Sequence, residues 1–249
     1  VIDNKSFVSF NTGSATTGNA GWIAISGDTL TVMNNAEISI NTGSTSSGNA
    51  GAVTITSANV NILAGGEVSS SSADGTGNAG SVTINSTTLA MNDGEITTET
   101  ADGAGGLIDI TAGTVTVSNS SDITADTDGA GDAGDIQILA SDVTVNSLSV
   151  ISSSSEMGTG SAGSVSIEAG DITINNASVR TVNSSGTDVA NVTLNATNSS
   201  TGIITNGAVV TASTVGDGDA GSISLLGPNW IISGATTQVT SSTSGNGDA

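Results

Sequence analysis

The sequence predicts an all-β fold, a parallel β-helix (solenoid) of about 8 to 9 coils with roughly 29 residues and three short strands per coil. Three observations predict it. A glycine-rich anchor motif recurs at a nearly constant interval, apolar residues alternate with polar ones after each anchor, and no segment between the anchors has a helical pattern. A chain built this way winds in one direction, so each strand should pair in parallel with its equivalent one period later.

The anchor is a four-residue turn followed by an alternating apolar pair. The last glycine of the anchor, or its replacement at Ala190, gives successive spacings of 30, 29, 26, 28, 29, 27 and 31 residues. A degenerate copy, DVANVTL, begins at Asp188. The other copies are GNAGWIAI from Gly18, GNAGAVTI from Gly48, GNAGSVTI from Gly77, GAGGLIDI from Gly103, GDAGDIQI from Gly131, GSAGSVSI from Gly160 and GDAGSISL from Gly218.

Each period carries three apolar clusters with the two-residue repeat of a strand. In the coil that follows Gly80 they are Val82/Ile84, Leu89/Met91 and the single residue Ile96. The third cluster usually continues with a smaller residue, so the interior there should be narrower or partly filled by Ser and Thr. Only the copy after Leu194 delays its second cluster.

The small residues of the anchor predict a tight corner. Glycine adopts left-handed backbone conformations at low cost, which is the role we expect for the anchor glycines. The recurrent alanine in the third anchor position fits a place where a larger side chain would collide with its copy in the next coil. No helix follows any of these turns, so they do not resemble a phosphate-binding loop.

Composition and charge exclude most functional classes. The net charge is −21 at pH 7, which disfavours binding to nucleic acid or to an anionic membrane surface. Lys5 and Arg180 are the only cationic side chains, and His and Cys are absent, so neither a Ser-His-Asp triad nor a zinc site of nitrogen and sulfur ligands can form. No apolar run approaches the ~20 residues of a membrane span. We therefore expect no catalysis and no cofactor, calcium excepted.

The repeat resembles that of a known family. GNAGAVTI, GNAGSVTI and GDAGDIQI, with a later GEI-like step at Gly66-Glu67-Val68 and Gly94-Glu95-Ile96, are similar to the repeat region of filamentous haemagglutinin-type exoproteins of cyanobacteria and other Gram-negative bacteria. The resemblance covers essentially the whole chain. It implies a right-handed, single-stranded parallel β-helix shaft, export by two-partner secretion, and a role in adhesion, aggregation or matrix formation.

Acidic residues in the later coils are candidate calcium ligands. Equivalent carboxylates stacked ~5 Å apart repel one another, and a cation that prefers oxygen ligands would relieve this repulsion. Diffuse counterions and simple solvation are the alternatives, because earlier coils carry Asn19, Asn49 and Asn78 in the second anchor position. The first four candidates could also supply a carboxylate pair for glycoside hydrolysis. The candidates are Asp126, Asp128, Asp132, Asp135, Asp188, Asp217 and Asp219.

These observations predict a structural shaft of a secreted, cell-surface bacterial adhesin without catalytic activity. A subunit of a self-assembling extracellular filament is the alternative, and a carbohydrate-active β-helix enzyme is a more distant one. We expect residues 1–249 to form one β-helix domain, cut in mid-coil at both ends. The expected partners are flanking repeats or further copies stacked end to end, together with a cell-surface or matrix ligand.

Overall fold

The computed structural model describes residues 1–72, 75–155, 158–184, 190–197 and 201–249. All regular structure in these ranges is β, and they contain no helix. The strands are β1 (Phe7–Ser9), β2 (Ile23–Met33), β3 (Glu37–Asn41), β4 (Val53–Ser71), β5 (Val82–Thr97), β6 (Ile108–Ser118), β7 (Asp122–Thr124), β8 (Ile136–Asn146), β9 (Val150–Ser155), β10 (Val165–Asn175), β11 (Ser178–Asn183), β12 (Val192–Ala196), β13 (Thr201–Thr205), β14 (Val209–Thr214), β15 (Ile223–Leu226), β16 (Asn229–Ser233) and β17 (Gln238–Thr243).

Every strand pairs in parallel with its equivalent in the neighbouring coil, and the chain forms a β-solenoid of about eight turns. The register along the first strand position agrees with the spacing of the anchors. The aligned pairs are Ile23 with Val53, Val53 with Val82, Val82 with Ile108, Ile108 with Ile136, Ile136 with Val165, Val165 with Val192, and Val192 with Ile223. The fold predicted from the sequence is thus confirmed, and the right-handed sense of winding stays a prediction.

The three predicted strands of a coil are not always separate. β4 and β5 run through all three strand positions, and β2, β6, β8 and β10 each join the first two. At the first bend one residue per coil leaves the ladder, for example Ala58 opposite Thr87, and pairing resumes with the next residue. A single unpaired residue bends a strand without ending it.

The interior is apolar at the first and second strand positions. The predicted inward pairs of the middle coils are fully or almost fully buried, including Val82/Ile84 and Leu89/Met91. Ile151, in the third strand position of its coil, is buried as well. In the last coil Ile223, Leu225 and Val239 are only partly buried, because a neighbouring coil packs on them from one side only.

The second strand position after Leu194 has a glycine in place of its first apolar residue, and the reason is steric. Gly202 and Ile204 of β13 take the inward positions and pair with Trp230 and Ile232 of β16. A Cβ atom at Gly202 would lie 2.4 Å from the Trp230 ring. The glycine thus makes room for the indole, which the alternation of apolar residues alone did not reveal.

Hydroxyl groups fill the narrow side of the interior, as predicted. Ser70 Oγ donates to the carbonyl of Gly51 at 2.6 Å, and Thr98 Oγ1 donates to that of Gly106 at 2.8 Å. Ser153 Oγ does the same to Gly134 at 2.7 Å. Buried carbonyl groups need donors. The Ser and Thr side chains therefore satisfy the anchor turn from inside the solenoid.

The anchor glycines allow the backbones of adjacent coils to come into contact, and they do not have left-handed backbone conformations. The left-handed role predicted for them is therefore wrong. Positive φ among described glycines occurs at Gly65, Gly207, Gly227 and Gly234, none of which belongs to an anchor. A Cβ atom at Gly80 would lie 1.6 Å from the carbonyl oxygen of the preceding coil. The physical requirement is therefore that adjacent coils touch backbone to backbone at this corner.

Left-handed residues lie at the opposite corner, between the second and third strand positions. Asn34, Asp93, Asn119 and Asn176 have φ between 50° and 57°, and Leu148 reaches 68°. Asn and Asp tolerate this region better than most residues. This corner places the start of the third strand, on which the acidic residues described below lie.

Candidate functional site

The corner carboxylates predicted to bind calcium act as hydrogen-bond acceptors between coils. Asp132 Oδ1 accepts the backbone N–H of Ser161 at 2.8 Å, and Asp219 Oδ1 accepts that of Asp248 at 2.7 Å. Asp135 Oδ1 accepts the N–H of Ser164 at 2.8 Å. In each bond a side-chain oxygen takes the place of a carbonyl in the inter-coil ladder.

Asparagine makes the same bond in the earlier coils. The Oδ1 atoms of Asn19, Asn49 and Asn78 each accept, at 2.9 Å, the backbone N–H of the equivalent residue in the next coil. The bond therefore needs an acceptor oxygen and not a negative charge. Asn and Asp recur at this corner because the backbone N–H of the next coil needs a hydrogen-bond acceptor there.

The remaining predicted residues do not form one centre. Asp126 Oδ1 accepts from Ser154 N at 2.6 Å and Ser152 Oγ at 3.2 Å, whereas Asp128 is exposed. Asp217 Oδ1 accepts from Asn246 N at 3.0 Å and Nδ2 at 3.1 Å.

Asp188 lies outside the described residues. Among those the structure describes, no three acidic side chains come close enough to hold a metal ion together.

A different acidic set is brought together by the fold. Glu37 of β3 aligns with Glu67 of β4, Glu67 with Glu95 of β5, and Glu95 with Asp122 of β7. We call these four residues the carboxylate ladder. They open the third strand of four successive coils, and parallel strands lie ~4.8 Å apart, so the carboxylates form a line along the solenoid axis.

The ladder is partly buried, and burial changes its protonation. Burial, together with the negative charges of Glu67, Glu99 and Asp122, raises the pKa of Glu95 from 4.5 to about 7. Burial also raises the pKa of Glu67, to which Glu37 contributes, while the Ser69 hydroxyl acts in the opposite direction. Desolvation and like-charge repulsion therefore both oppose the ionisation of Glu67 and Glu95.

A column of hydroxyl residues runs beside the ladder. It consists of Ser39, Ser69, Thr97, Thr124 and Ser152, which align in register on β3, β4, β5, β7 and β9. Strand alternation turns these side chains away from the core, to the same face as the ladder. Ser39 is 0% exposed, and its Oγ has no hydrogen-bond partner.

Arg180 stands at the end of this column. It aligns with Ser152, and its Nε donates to Ser152 Oγ at 3.3 Å. Burial raises the pKa of Asp122, and this is counteracted first by the backbone N–H of Val150, which donates to its carboxylate, and then by the Arg180 charge. One of the two cations of the chain thus acts on the last carboxylate of the ladder, although the two residues belong to coils two turns apart.

A cleft opens beside the middle of the ladder. It has a volume of about 120 Å³ and lies where the left-handed corner meets the third strand. Its walls are formed by Gly65, Asp93, Gly94, Glu95, Ser120 and Asp122. Three acidic residues, Asp93, Glu95 and Asp122, thus line one small cleft.

The repeated Gly-Glu-apolar step in the sequence already indicated this ladder. The GEI-like steps at Gly66-Glu67-Val68 and Gly94-Glu95-Ile96 indicated the repeat type, but the alignment of their glutamates was not followed further. The substitution of Asp122 for Glu, one coil later, hid the continuation. A register taken from the anchors would have aligned all four acids.

Comparison of the chain with protein-family models, with curated proteins and with solved structures finds no match. The class of protein is therefore defined by the fold alone, a parallel β-solenoid. Within the described ranges no helix is long and apolar enough to cross a membrane.

Proposed function

We propose that this chain is the structural shaft of a secreted bacterial surface adhesin, without catalytic activity. One observation carries the proposal: in the described residues the apolar core and the parallel strand pairing extend from coil to coil through about eight turns. At ~4.8 Å per coil the stack is about 40 Å long. Because each coil bonds along its perimeter to its neighbours, such a stack resists bending and extends what it carries away from a surface.

The chemistry of the side chains agrees with a mechanical role. The chain has no His or Cys and only two cationic side chains, so nucleophiles and acid–base pairs that need His or Cys cannot form. Asp126, Asp132 and Asp135 bond to backbone N–H groups, which argues against the carboxylate pair that the carbohydrate-active alternative predicted among them. The similarity of the repeat to filamentous haemagglutinin-type exoproteins supports the adhesive and extracellular part of the proposal.

The shaft and the adhesive role can be tested separately. Small-angle scattering of the purified chain should give the profile of a rigid rod. Beads coated with the chain should bind bacterial cells or matrix polysaccharide more than beads coated with the Ile84→Asp variant, in which the core is disrupted. A globular or flexible scattering profile would contradict the shaft, equal bead binding would contradict adhesion, and release of sugars from the polysaccharide would favour an enzyme.

The filament alternative is favoured by a separate observation. The outer coils expose apolar side chains at inward strand positions, with Val8, which aligns with buried Ile38, at 37% and Ile232, which aligns with buried Ile204, at 50% exposure. Another coil of the same repeat, from flanking repeats or from a second copy, would cover such residues and pair with the neighbouring strands. Sedimentation at increasing concentration should then show end-to-end species, and a sedimentation coefficient independent of concentration would contradict stacking between copies.

A further inference from the structure

A groove lies on the outer face of the first strand position, away from both sets of acidic residues described above. It crosses three adjacent coils, on β6, β8 and β10, and its volume of about 450 Å³ is within the ~300 to 1,000 Å³ that is typical of small-molecule sites. Its walls carry two rows of side chains that follow the solenoid axis. The first row is Asp109, Gln137 and Ser166, and the second is Thr111, Leu139 and Glu168.

The composition of the groove is local to these three coils. In the flanking coils the same two rows carry short, uncharged polar residues. They are Thr54, Thr83 and Thr193 in the first row, and Thr56, Asn85 and Asn195 in the second. The repeat therefore tolerates small polar residues at these positions, and only the groove adds two carboxylates and a leucine.

The polar side chains of the groove are not used by the fold. Within the described residues, Asp109, Gln137 and Ser166 make no side-chain hydrogen bond to the protein. Glu168 Oε2 accepts a long bond from Asn195 Nδ2 at 3.5 Å, which leaves Oε1 available. The aspartates of the anchor corner differ, because they bond to the backbone of the next coil. The groove thus presents acceptors and a donor amide to a ligand.

Leu139 gives this polar groove an apolar centre. It is 51% exposed, and its neighbours in the adjacent coils are Thr111 and Glu168, so no apolar side chain of the sheet covers it. A pyranose ring has the matching surface, because C–H groups cover its faces and hydroxyl groups form its rim. Carboxylates accept hydroxyl hydrogen bonds that are stronger than those between neutral groups.

The surroundings of the groove argue against other polymers. β8 pairs with β6 on one side and with β10 on the other, so the floor offers no open strand edge to an extended peptide. The two acids and the net charge of −21 repel anionic glycans.

We infer that the groove binds a neutral polysaccharide. Leu139 packs against the face of a sugar ring, and Asp109, Gln137 and Glu168 form hydrogen bonds with its hydroxyl groups. The inference rests on the adhesive role proposed above, to which it adds a surface and a ligand class.

Nuclear magnetic resonance titration of the isotope-labelled chain tests the groove. The probes are cellohexaose and maltohexaose, two neutral glucose hexamers with extended and coiled backbones. We expect at least one of them to shift the amide signals of residues 109–111, 137–139 and 166–168. Hexagalacturonate, an anionic hexamer, should bind at least about tenfold more weakly because the groove repels it.

Matched variants separate the groove from the rest of the surface. Leu139→Ser should weaken binding of the hexamer at least about fivefold, since it removes the apolar contact. Leu226→Ser is its control and should change binding less than twofold, because Leu226 continues the same row two coils beyond Glu168 and is 48% exposed. Asp109→Asn should weaken binding at least about threefold, and Asp142→Asn, at an exposed position outside the groove, less than twofold.

Several outcomes would overturn the inference. These are no shift with either neutral hexamer, shifts centred on the exposed Trp22, equal losses from Leu139→Ser and Leu226→Ser, and equal binding of the anionic hexamer. A hexalysine peptide that binds more tightly and depends on Asp109 but not on Leu139 would assign the groove to basic peptides. If coated beads bind cells while both hexamers fail, the groove is wrong and the adhesive role stands. Hexamer binding by a chain whose beads do not adhere would contradict the adhesive role alone.

Discussion

Replacing Glu95 by glutamine should stabilise the protein at alkaline pH and leave it unchanged at acidic pH. Glutamine keeps the size and hydrogen-bonding atoms of the side chain and removes its charge. In the folded state burial and the charges of Glu67, Glu99 and Asp122 raise the pKa of Glu95 to about 7, against an ordinary value of 4.5. The ionised carboxylate is therefore the unfavourable form in the solenoid.

The sign follows from proton linkage. Between pH 4.5 and about 7 the folded state binds more protons at Glu95 than the unfolded state does, so its contribution to stability falls as the pH rises through this window. The pKa difference sets an upper limit of about 3 kcal/mol at 1.36 kcal/mol per unit. Because the side chain is partly exposed, solvent screening reduces the effect, and we expect about 1 to 2 kcal/mol at pH 8.

Denaturant unfolding at pH 5 and pH 8 measures the difference between the Glu95→Gln variant and the original chain. Glu168→Gln controls for the change in net charge, and its effect should be small at both pH values. A Glu95→Gln variant that is less stable at pH 8, or whose advantage is the same at pH 5, would refute the reasoning, because neither result is compatible with a carboxylate that burial keeps protonated.

Three further predictions test the packing. Gly80→Ala should destabilise by at least about 3 kcal/mol in thermal or denaturant unfolding, since its Cβ would lie 1.6 Å from a carbonyl oxygen, whereas Gly27→Ala, with no atom within 4 Å, should be nearly neutral. Ile55→Asp should lower the free energy of unfolding by about 3 to 5 kcal/mol because it buries a charge. Thr54→Asp, on the outer face of the same strand, should lower it by less than about 1 kcal/mol. Equal losses for the two variants would contradict the strand register. Asp132→Asn should preserve stability and Asp132→Ala cost about 1 kcal/mol, with no specific response to calcium or chelators; a calcium-dependent melting temperature would restore the metal hypothesis.

The architecture was predictable because the same sequence pattern recurs in every coil. Each anchor copy fixes the register of the next coil, so the alignment of Val82 with Ile108 follows from counting residues, even where the period shortens to 26. The inward positions followed from alternation in the same way. The exception, Gly202 beside Trp230, concerns side-chain volume in a single coil, which a periodic pattern does not specify.

The reason for the glycines was less predictable than their position. Sequence alone does not distinguish a glycine needed for positive φ from one needed for close approach. Gly80 belongs to the second kind, and left-handed conformations occur at Asn34, Asp93 and Leu148 in a different corner. Leucine is an unusual residue for that conformation, so composition gave no signal at Leu148.

The acidic residues of the anchor corner and those of the carboxylate ladder differ in their hydrogen bonds and in the effect of burial on their charge. At the anchor corner Asp132 and Asn49 make the same bond to a backbone N–H of the next coil, so the fold requires an oxygen there and tolerates the charge. In the described part of the chain Glu67 and Glu95 accept no hydrogen bond of this kind from a backbone N–H. Burial raises the pKa of both side chains and so opposes their ionisation. A fold that merely needed polar residues at these positions could use Gln or Thr without this cost. Glu67 and Glu95 retain a carboxylate in adjacent coils against that cost, so the stability of the solenoid does not explain their charge.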